Sequence, residues 1–448
     1  MLNNIRKIVL ISGDILCAYF SLFLTVFFGF WGEFSWQLFN QHLFPFSILY
    51  GSWFLIFYIF DLYSLNLARE KFLFYSRVLQ VLIFGAIVGI AFFYLWPAFG
   101  ISPKTNLILN LLFFGSSAIL WRKIFYVLFS KTMLVNVVLI GKNKRTLQLA
   151  QEINNRPYLG YKIVDLSKGK NSSNILETSK IKNTFLADLK KQKVDILIVG
   201  EALDPSSKIT NALYECLKSR IDFLNLSEAF EIICGKVPLD FIDKNWLLDN
   251  LKEGEKKFYD KSKILIDSVF AIITLIISLP LWLIIALAIK IEDKGKVFYK
   301  QKRIGKDKKE FLLIKFRSME ENAENGKAVW AGKKDLRTTK FGALLRKTHL
   351  DELPQLINIL KGNIALVGPR PERPEFVRDL EKQIPFYHLR HLVKPGLTGW
   401  AQIKFRYART LTDSFEKFEY DLYYLKNRNI FLDLGIVLKT FQFFFRND

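Results

Sequence analysis

Residues 264–289 read ILIDSVFAIITLIISLPLWLIIALAI, and the topology of this run decides where the rest of the chain sits. It is longer than the ~20 apolar residues that cross a bilayer, so a spanning helix is the first expectation. Two features oppose it. Lys256, Lys257, Lys261 and Lys263 precede the run, and Lys290, Lys294, Lys296, Lys300, Lys302 and Arg303 follow it. Spanning would therefore export one basic cluster against the positive-inside bias. Pro280 also lies near the middle, two residues after Ser278, and proline removes a backbone donor where a bend is wanted. A re-entrant helix over 264–290, bent at Ser278 and Pro280, satisfies both observations: it dips into one leaflet and returns, with Ser278 meeting part of the freed hydrogen bonding.

Before this run come four further apolar stretches, Ile8 to Phe30, Leu43 to Phe60, Val78 to Trp96 and Leu107 to about Phe129. Each has the length of a transmembrane helix. The fourth is interrupted by Arg122 and Lys123, whose long side chains snorkel at a helix end. Arg6, Lys7, Arg69, Lys71, Arg77 and Lys131 flank one side, whereas 31–42 has no Lys or Arg and 97–104 a single Lys. Both ends of this bundle, residues 1–131, are thus expected in the cytoplasm. The first run is too long, and lacks the small-residue site, for a cleaved signal peptide. Asp14 inside it calls for a partner, and a nearby basic side chain is expected.

From Val135 the pattern becomes VNVVLIGKN, then a helical stretch through Ile153 and strands at Tyr161 to Leu166 and Asp195 to Val199. This alternation is a βαβ signature and predicts a Rossmann-like α/β domain over 132–255. The turn Gly141 to Thr146 holds one glycine where dinucleotide binding wants three, so a structural or regulatory domain competes with a cofactor-binding one. Lys168 to Lys180 is expected as a surface loop.

The chain of 448 residues is 51% hydrophobic, with 42 Phe, and carries a formal charge of +22. That combination calls for lipid and for an anionic partner. Basic residues beside an apolar anchor suit anionic membrane lipids, while no helix-turn-helix, RNP-type or zinc-finger pattern supports nucleic acid. The three Cys form no CxxC pair, which points to a reducing compartment.

Four segments then follow in close order: KFRSM at 315–319, LRKTHLDELPQL at 345–356, GNIALVGPRPE at 362–372 and KPGLTGWAQ at 394–402. Asp351 sits where a helix is expected to begin, with Pro354 in the first turn, Leu356, Ile357 and Leu360 as its apolar face, and Gly362 at its end. A helix N-terminus favours ionised carboxylates, suiting Asp351 and Glu352 to nucleophilic or metal-binding work. As sequence neighbours they point roughly 100° apart, so one can attack while the other holds a cation. Alone, such a pair is also an ordinary N-terminal charge decoration. Lys315, Arg317, Arg337, Arg346 and Arg370 flank it, and guanidinium groups match phosphate oxygens bidentately. His349, His388 and His391 are read as structural. The tail 430–444 is either an interfacial or a core helix.

These motifs, with YKQKRIG at 299–305 and YDLYYLKN at 420–427, resemble the bacterial sugar transferases, or monotopic phosphoglycosyl transferases. The long form of that family carries four membrane helices and a Rossmann-like domain before a mainly α-helical catalytic domain, here 256–448. The resemblance implies transfer of a hexose 1-phosphate from a UDP-sugar to undecaprenyl phosphate with release of UMP. It further implies an inner-membrane enzyme with its catalytic domain on the cytoplasmic face, and a possible homodimer. By resemblance Asp351 is the nucleophile that forms a phosphosugar-aspartyl intermediate, and Glu352 is the Mg²⁺ ligand. Lys315, Arg346, Arg370 and Asp421 match active-site positions; Arg317 and Arg337 match motif positions. Ile264 stands where the family often has Arg, and Leu279 separates Ser278 from Pro280 where Ser-Pro is common.

Overall fold

The structure, a computed structural model, describes residues 2–30, 32–63, 71–95, 103–129, 134–156, 160–166, 175–176, 185–200, 213–214, 221–292, 295–320, 337–405 and 410–444. The chain divides into two compact units, Met1–Ala229 and Phe230–Asp448.

The first unit opens with α1 (Leu2–Gly29), α2 (Trp36–Ile59), α3 (Lys71–Leu95) and α4 (Pro103–Phe129). All four are long and apolar enough to cross a membrane. Helix α2 starts well before Leu43 because Ser35 caps it, accepting from the Leu38 amide at 3.2 Å. Rings fill the space between the helices: Trp53 stacks on Phe114 with centroids 5.4 Å apart, and Phe46 and Tyr50 are buried beside them. The basic partner of Asp14 is Arg122 of α4, whose guanidinium donates to both carboxylate oxygens at 2.6 and 2.8 Å. The residue that interrupts the fourth apolar run is thus neutralised between helices rather than snorkelled out. Arg69 and Lys131 lie outside the described residues.

The same unit continues with β1 (Val135–Ile140), α5 (Lys144–Asn155), β2 (Tyr161–Ile163), β3 (Ile175–Leu176), α6 (Phe185–Lys191), β4 (Ile196–Val199), β5 (Asp222–Asn225) and α7 (Leu226–Ala229). The strands form one parallel sheet in the order β2-β1-β4-β5, with β3 also pairing β1. The expected loop at 168–180 needs correction: Ile175 and Leu176 are a buried strand on β1, two apolar residues in a polar stretch whose remainder lies outside the described residues. Gly141, at φ +94°, turns the chain from β1 into α5 in a conformation that favours glycine. Asn143 caps α5 by accepting from the Thr146 amide at 2.7 Å and also donates to the Gly200 carbonyl. A Cβ on Gly200 would stand 2.2 Å from Thr146 Oγ1, so side chains fill the space at the strand ends.

The second unit holds α8 (Lys244–Asn250), α9 (Lys257–Glu292), β6 (Phe298–Ile304), β7 (Glu310–Phe316), α10 (Lys340–Lys347), α11 (Gln355–Leu360), β8 (Ala365–Val367), α12 (Pro374–Gln383), β9 (Gly396–Thr398), α13 (Trp400–Lys404), α14 (Leu411–Asn427) and α15 (Ile430–Phe444). It is mostly helical, with an antiparallel hairpin β6-β7 and a parallel pair β8-β9. Helix α9 runs through Pro280, so the expected break is a lost hydrogen bond inside one helix rather than an interruption of it. Ser278 lies beside it: its hydroxyl donates to Leu275 O at 3.3 Å and accepts from Trp282 Nε1 at 3.1 Å. Ahead of the proline, Ala271 and Leu275 pack with Leu356 and Ile359 of α11. Beyond it, Ile285 and Ile289 pack with Phe316 of β7 and Leu345 of α10. Leu353 touches both groups.

Candidate active site

Strand β7 delivers Lys315, and the chain runs on through the buried Arg317 and Ser318. Helix α10 lies close against this segment because residue 342 is glycine; a Cβ there would stand 2.1 Å from Ser318 O. The contact lets Arg346 Nε donate to Ser318 Oγ at 3.0 Å. After α10, His349 takes a left-handed conformation with φ 54°, a strained backbone for a residue with a Cβ. It reverses the chain into a single 3₁₀ turn, Leu350–Glu352.

That turn carries the carboxylate pair. Asp351 is 6% exposed. Lys315 Nζ lies 2.7 Å from Glu352 Oε1 and 3.9 Å from Asp351 Oδ2. Arg370 Nη2 reaches Glu352 Oε1 at 3.1 Å from the turn between β8 and α12. Burial would raise the Glu352 carboxyl, but Lys315 and Arg370 outweigh it and hold it far below the usual range. Asp351 goes the other way. Burial raises it, the opposing charge of Lys315 is farther off, and Glu352 adds repulsion.

The expected helix start at Asp351 is therefore corrected. Helix α11 begins at Gln355, Pro354 stands at its cap position without a side-chain hydrogen bond, and neither carboxylate caps it. The left-handed His349 diverts the chain into the 3₁₀ turn first. A helix-terminal field thus does not set the charge of Asp351; burial and Lys315 do. The end of α11 at Gly362, with φ +73°, agrees with the expectation.

Arg346 acts electrostatically on Asp351, so Lys315, Arg346 and Arg370 all converge on the pair. Arg317 and Arg337 are brought to one place by backbone pairing: Met319 bridges Thr338, and the Glu320 amide donates to Arg337 O at 3.1 Å. Asp421 belongs to a second cluster. It lies on α14, 3.1 Å from the buried Arg390, and Arg390 in turn donates to the carbonyl of Arg370 at 2.9 Å. Glu372 and Lys417 complete this cluster at 2.5 Å. Burial would raise Glu372, but Lys417, Arg390 and Arg303 bring it down to about 2. Burial, then Arg390, lowers His391 to about 3, leaving it neutral. Asp421 is thus linked to the pair by contacts through Arg390 and the backbone of Arg370. Arg390, which sits between His388 and His391, was missed in the sequence.

Mg²⁺ binds through one or two protein carboxylates and completes its shell with water and substrate phosphates. Two adjacent carboxylates, one held ionised, fit that mode, and no group of three or more His, Cys, Asp or Glu forms an all-protein cage among the described residues.

A family model described as bacterial sugar transferase matches residues 258–447. A UDP-N-acetylgalactosamine-undecaprenyl-phosphate N-acetylgalactosaminephosphotransferase of Aeromonas hydrophila is 39% identical over 230 residues, 51% of this chain and 54% of that protein. A UDP-glucose:undecaprenyl-phosphate glucose-1-phosphate transferase of Xanthomonas campestris pv. campestris is 38% identical over 49% of this chain and 44% of its own. With these two the match spans about half of the relative's length. A Klebsiella pneumoniae protein named for the same glucose-1-phosphate transfer is 31% identical over 321 residues, 67% of this chain and 68% of that protein. The chain belongs to the bacterial sugar transferase family.

Proposed function

We propose that this protein is a phosphotransferase that moves a hexose 1-phosphate from a UDP-sugar to undecaprenyl phosphate, releasing UMP. The step initiates a surface polysaccharide, whether exopolysaccharide, capsule or O-antigen, at the cytoplasmic leaflet of the bacterial inner membrane. The observation that carries this reading is the pair of buried Asp351 and half-buried Glu352, gripped by Lys315 and Arg370, in a chain whose relatives are named for that transfer.

In this reading an Asp351 carboxylate oxygen attacks the sugar-bearing phosphorus. The bond from that phosphorus to the bridging oxygen breaks, and UMP departs with the electron pair. A phosphate oxygen of undecaprenyl phosphate then attacks the phosphosugar-aspartyl intermediate and restores the carboxylate. Lys315, Arg346 and Arg370 offset the charge of the diphosphate. Glu352, held ionised, is suited to hold Mg²⁺ rather than to donate a proton; the bound ion would neutralise phosphate charge.

Helix α9 is read as re-entrant because both of its ends are fastened to the same unit. Lys263 pairs with Asp433 at 2.6 Å near the start, and Glu292 accepts from the Phe341 amide at 2.9 Å at the end. Helices α1 to α4 are read as a transmembrane bundle, and β1 to β5 with their helices as a Rossmann-like domain. The side chains filling its strand ends favour a structural or regulatory role for that domain.

Incubation with labelled UDP-sugar and Mg²⁺ but no lipid acceptor should leave label on Asp351. A ternary reaction without labelled enzyme, or full activity in Asp351→Asn, would refute the mechanism. The named relatives act on different sugars, so UMP release across a panel of UDP-sugars is the measurement that assigns the hexose.

A further inference from the structure

A cavity of about 140 Å³ opens beside the N-terminal part of α9, at the far end of α11 from the carboxylate pair. Helix α11 has six residues, so its two ends lie roughly 9 Å apart along the axis. None of Asp351, Glu352, Lys315 or Arg370 lines the cavity. Its volume is about ten times the ~10–15 Å³ that admits one water, enough for a head-group phosphate and its ester atoms.

Four cations face this space, and two of them are already neutralised. Lys263 pairs with Asp433 at 2.6 Å and Asp267 at 3.5 Å. Arg428 pairs with Glu253 at 2.6 Å and Asp260 at 3.5 Å. Lys306 and Lys394 remain, and among the described residues neither has a carboxylate within ion-pair distance. Lys394 Nζ lies 3.3 Å from where a Cβ on Gly362 would stand, so the glycine leaves room for the ammonium over the end of α11. Burial, then the like charge of Lys306, lowers the Lys394 amine. Two ammonium groups lining one cavity with no carboxylate in ion-pair distance, Asp267 acting on Lys394 only from farther off, are a receptor for an anion. The wall beside them is apolar, with Ile359, Ile364 and Leu392, and it leads to Ile264 and Leu360, which are 53% and 42% exposed on the rim.

We propose that this cavity binds the phosphate of a membrane lipid, its non-bridging oxygens between Lys306 and Lys394 and its hydrocarbon along Ile264 on α9. The proposal rests on the membrane placement of α9 and not on the transferase chemistry, so it is tested by binding and not by turnover.

The full chain in detergent is titrated with dihexanoyl phosphatidic acid, dihexanoyl phosphatidylcholine and inorganic phosphate. Phosphatidic acid should bind at least tenfold tighter than either of the others. Lys306→Gln or Lys394→Gln should each weaken it about fivefold, and the double variant about 25-fold. Lys361→Ala, which removes an exposed charge from the same end of α11 but lies off the cavity, should change binding less than twofold. The paired Lys→Arg variant should retain binding, and thermal melts show that each variant is folded. Equal binding of inorganic phosphate overturns the lipid assignment. Unchanged binding in folded Gln variants, or an equal loss with Lys361→Ala, overturns the site.

Discussion

Lys315 stands 2.7 Å from Glu352 but 3.9 Å from Asp351, and this inequality accounts for the opposite behaviour of two adjacent carboxyls. In the proposed mechanism only the ionised Asp351 can attack, and its folded-state pKa lies above the ordinary value. Activity is therefore expected to fall on the acid side as pH drops through that raised pKa. Lys315→Met removes the main charge opposing the rise, so the acid limb of kcat/KM should move to higher pH. The rate at neutral pH should fall about 100-fold with the loss of a charge partner. Glu372 makes the opposite case. Its pKa is depressed to about 2, so it adds stability above the unfolded carboxylate value of about 4.3, and that stability disappears as pH falls through about 2. Glu372→Gln leaves Lys417 without its carboxylate and Arg390 with Asp421 alone, and should cost about 3 kcal/mol at neutral pH in chemical denaturation, the difference closing below about pH 4. The Asp-Glu pair and its cations were legible in the sequence because they are charges packed into short segments rich in Gly and Pro. The role of Asp421 was not, since it depends on Arg390, a residue whose burial brings distant segments together.

Among the elements, α9 was more legible in its end than in its start or its shape. Its apolar run set where it ends, to within two residues, whereas it starts at Lys257, seven residues ahead of the expected 264, with Lys257, Lys261 and Lys263 inside the helix. Sequence also singled out Ser278 and Pro280, but the helix continues past them, with Ser278 bonded to Leu275 O and Trp282 Nε1. Single cysteines at positions 257 and 296, in a chain otherwise free of cysteine, should both react only from the cytoplasmic side with a membrane-impermeant thiol reagent. An outside-labelled position 296 with position 257 inside would make α9 a spanning helix. The start of α11 was misread for a different reason. Residues Asp351 to Gly362 satisfy every local rule for a helix, and only the left-handed turn at His349, which no pattern in the sequence marks, delays it to Gln355.

At the scale of the molecule, the second compact unit begins at Phe230, ahead of the apolar run and its lysines. Lys236 is fully buried against Glu416 at 2.8 Å, Trp400 donates to Gly235 O at 2.7 Å, and Val237 and Ile242 enter the core with Phe418. A chain of Phe230–Asp448 should retain a cooperative melt and phosphosugar transfer within about tenfold of full length. One beginning at Lys256 loses the buried Ile233, Val237, Leu239 and Ile242, each contributing about 1.5–3 kcal/mol, and should melt early or aggregate. Composition alone announced lipid and anions but not this boundary, because the segment after α7 has no apolar period of its own and is organised by what it packs on. The first unit has a comparable dependence on distant partners. Asp14 and Arg122 are 108 residues apart, and an unpaired charge at the centre of a membrane helix costs about 2.5–3.5 kcal/mol on insertion scales. At synthesis rates of about 5–20 residues per second, α1 waits about 5–20 s before the ribosome delivers its counter-ion. On the transmembrane reading proposed above, the nascent helix depends during that interval on the insertion machinery or on bound water to shelter Asp14, and the arrival of α4 supplies its counter-ion.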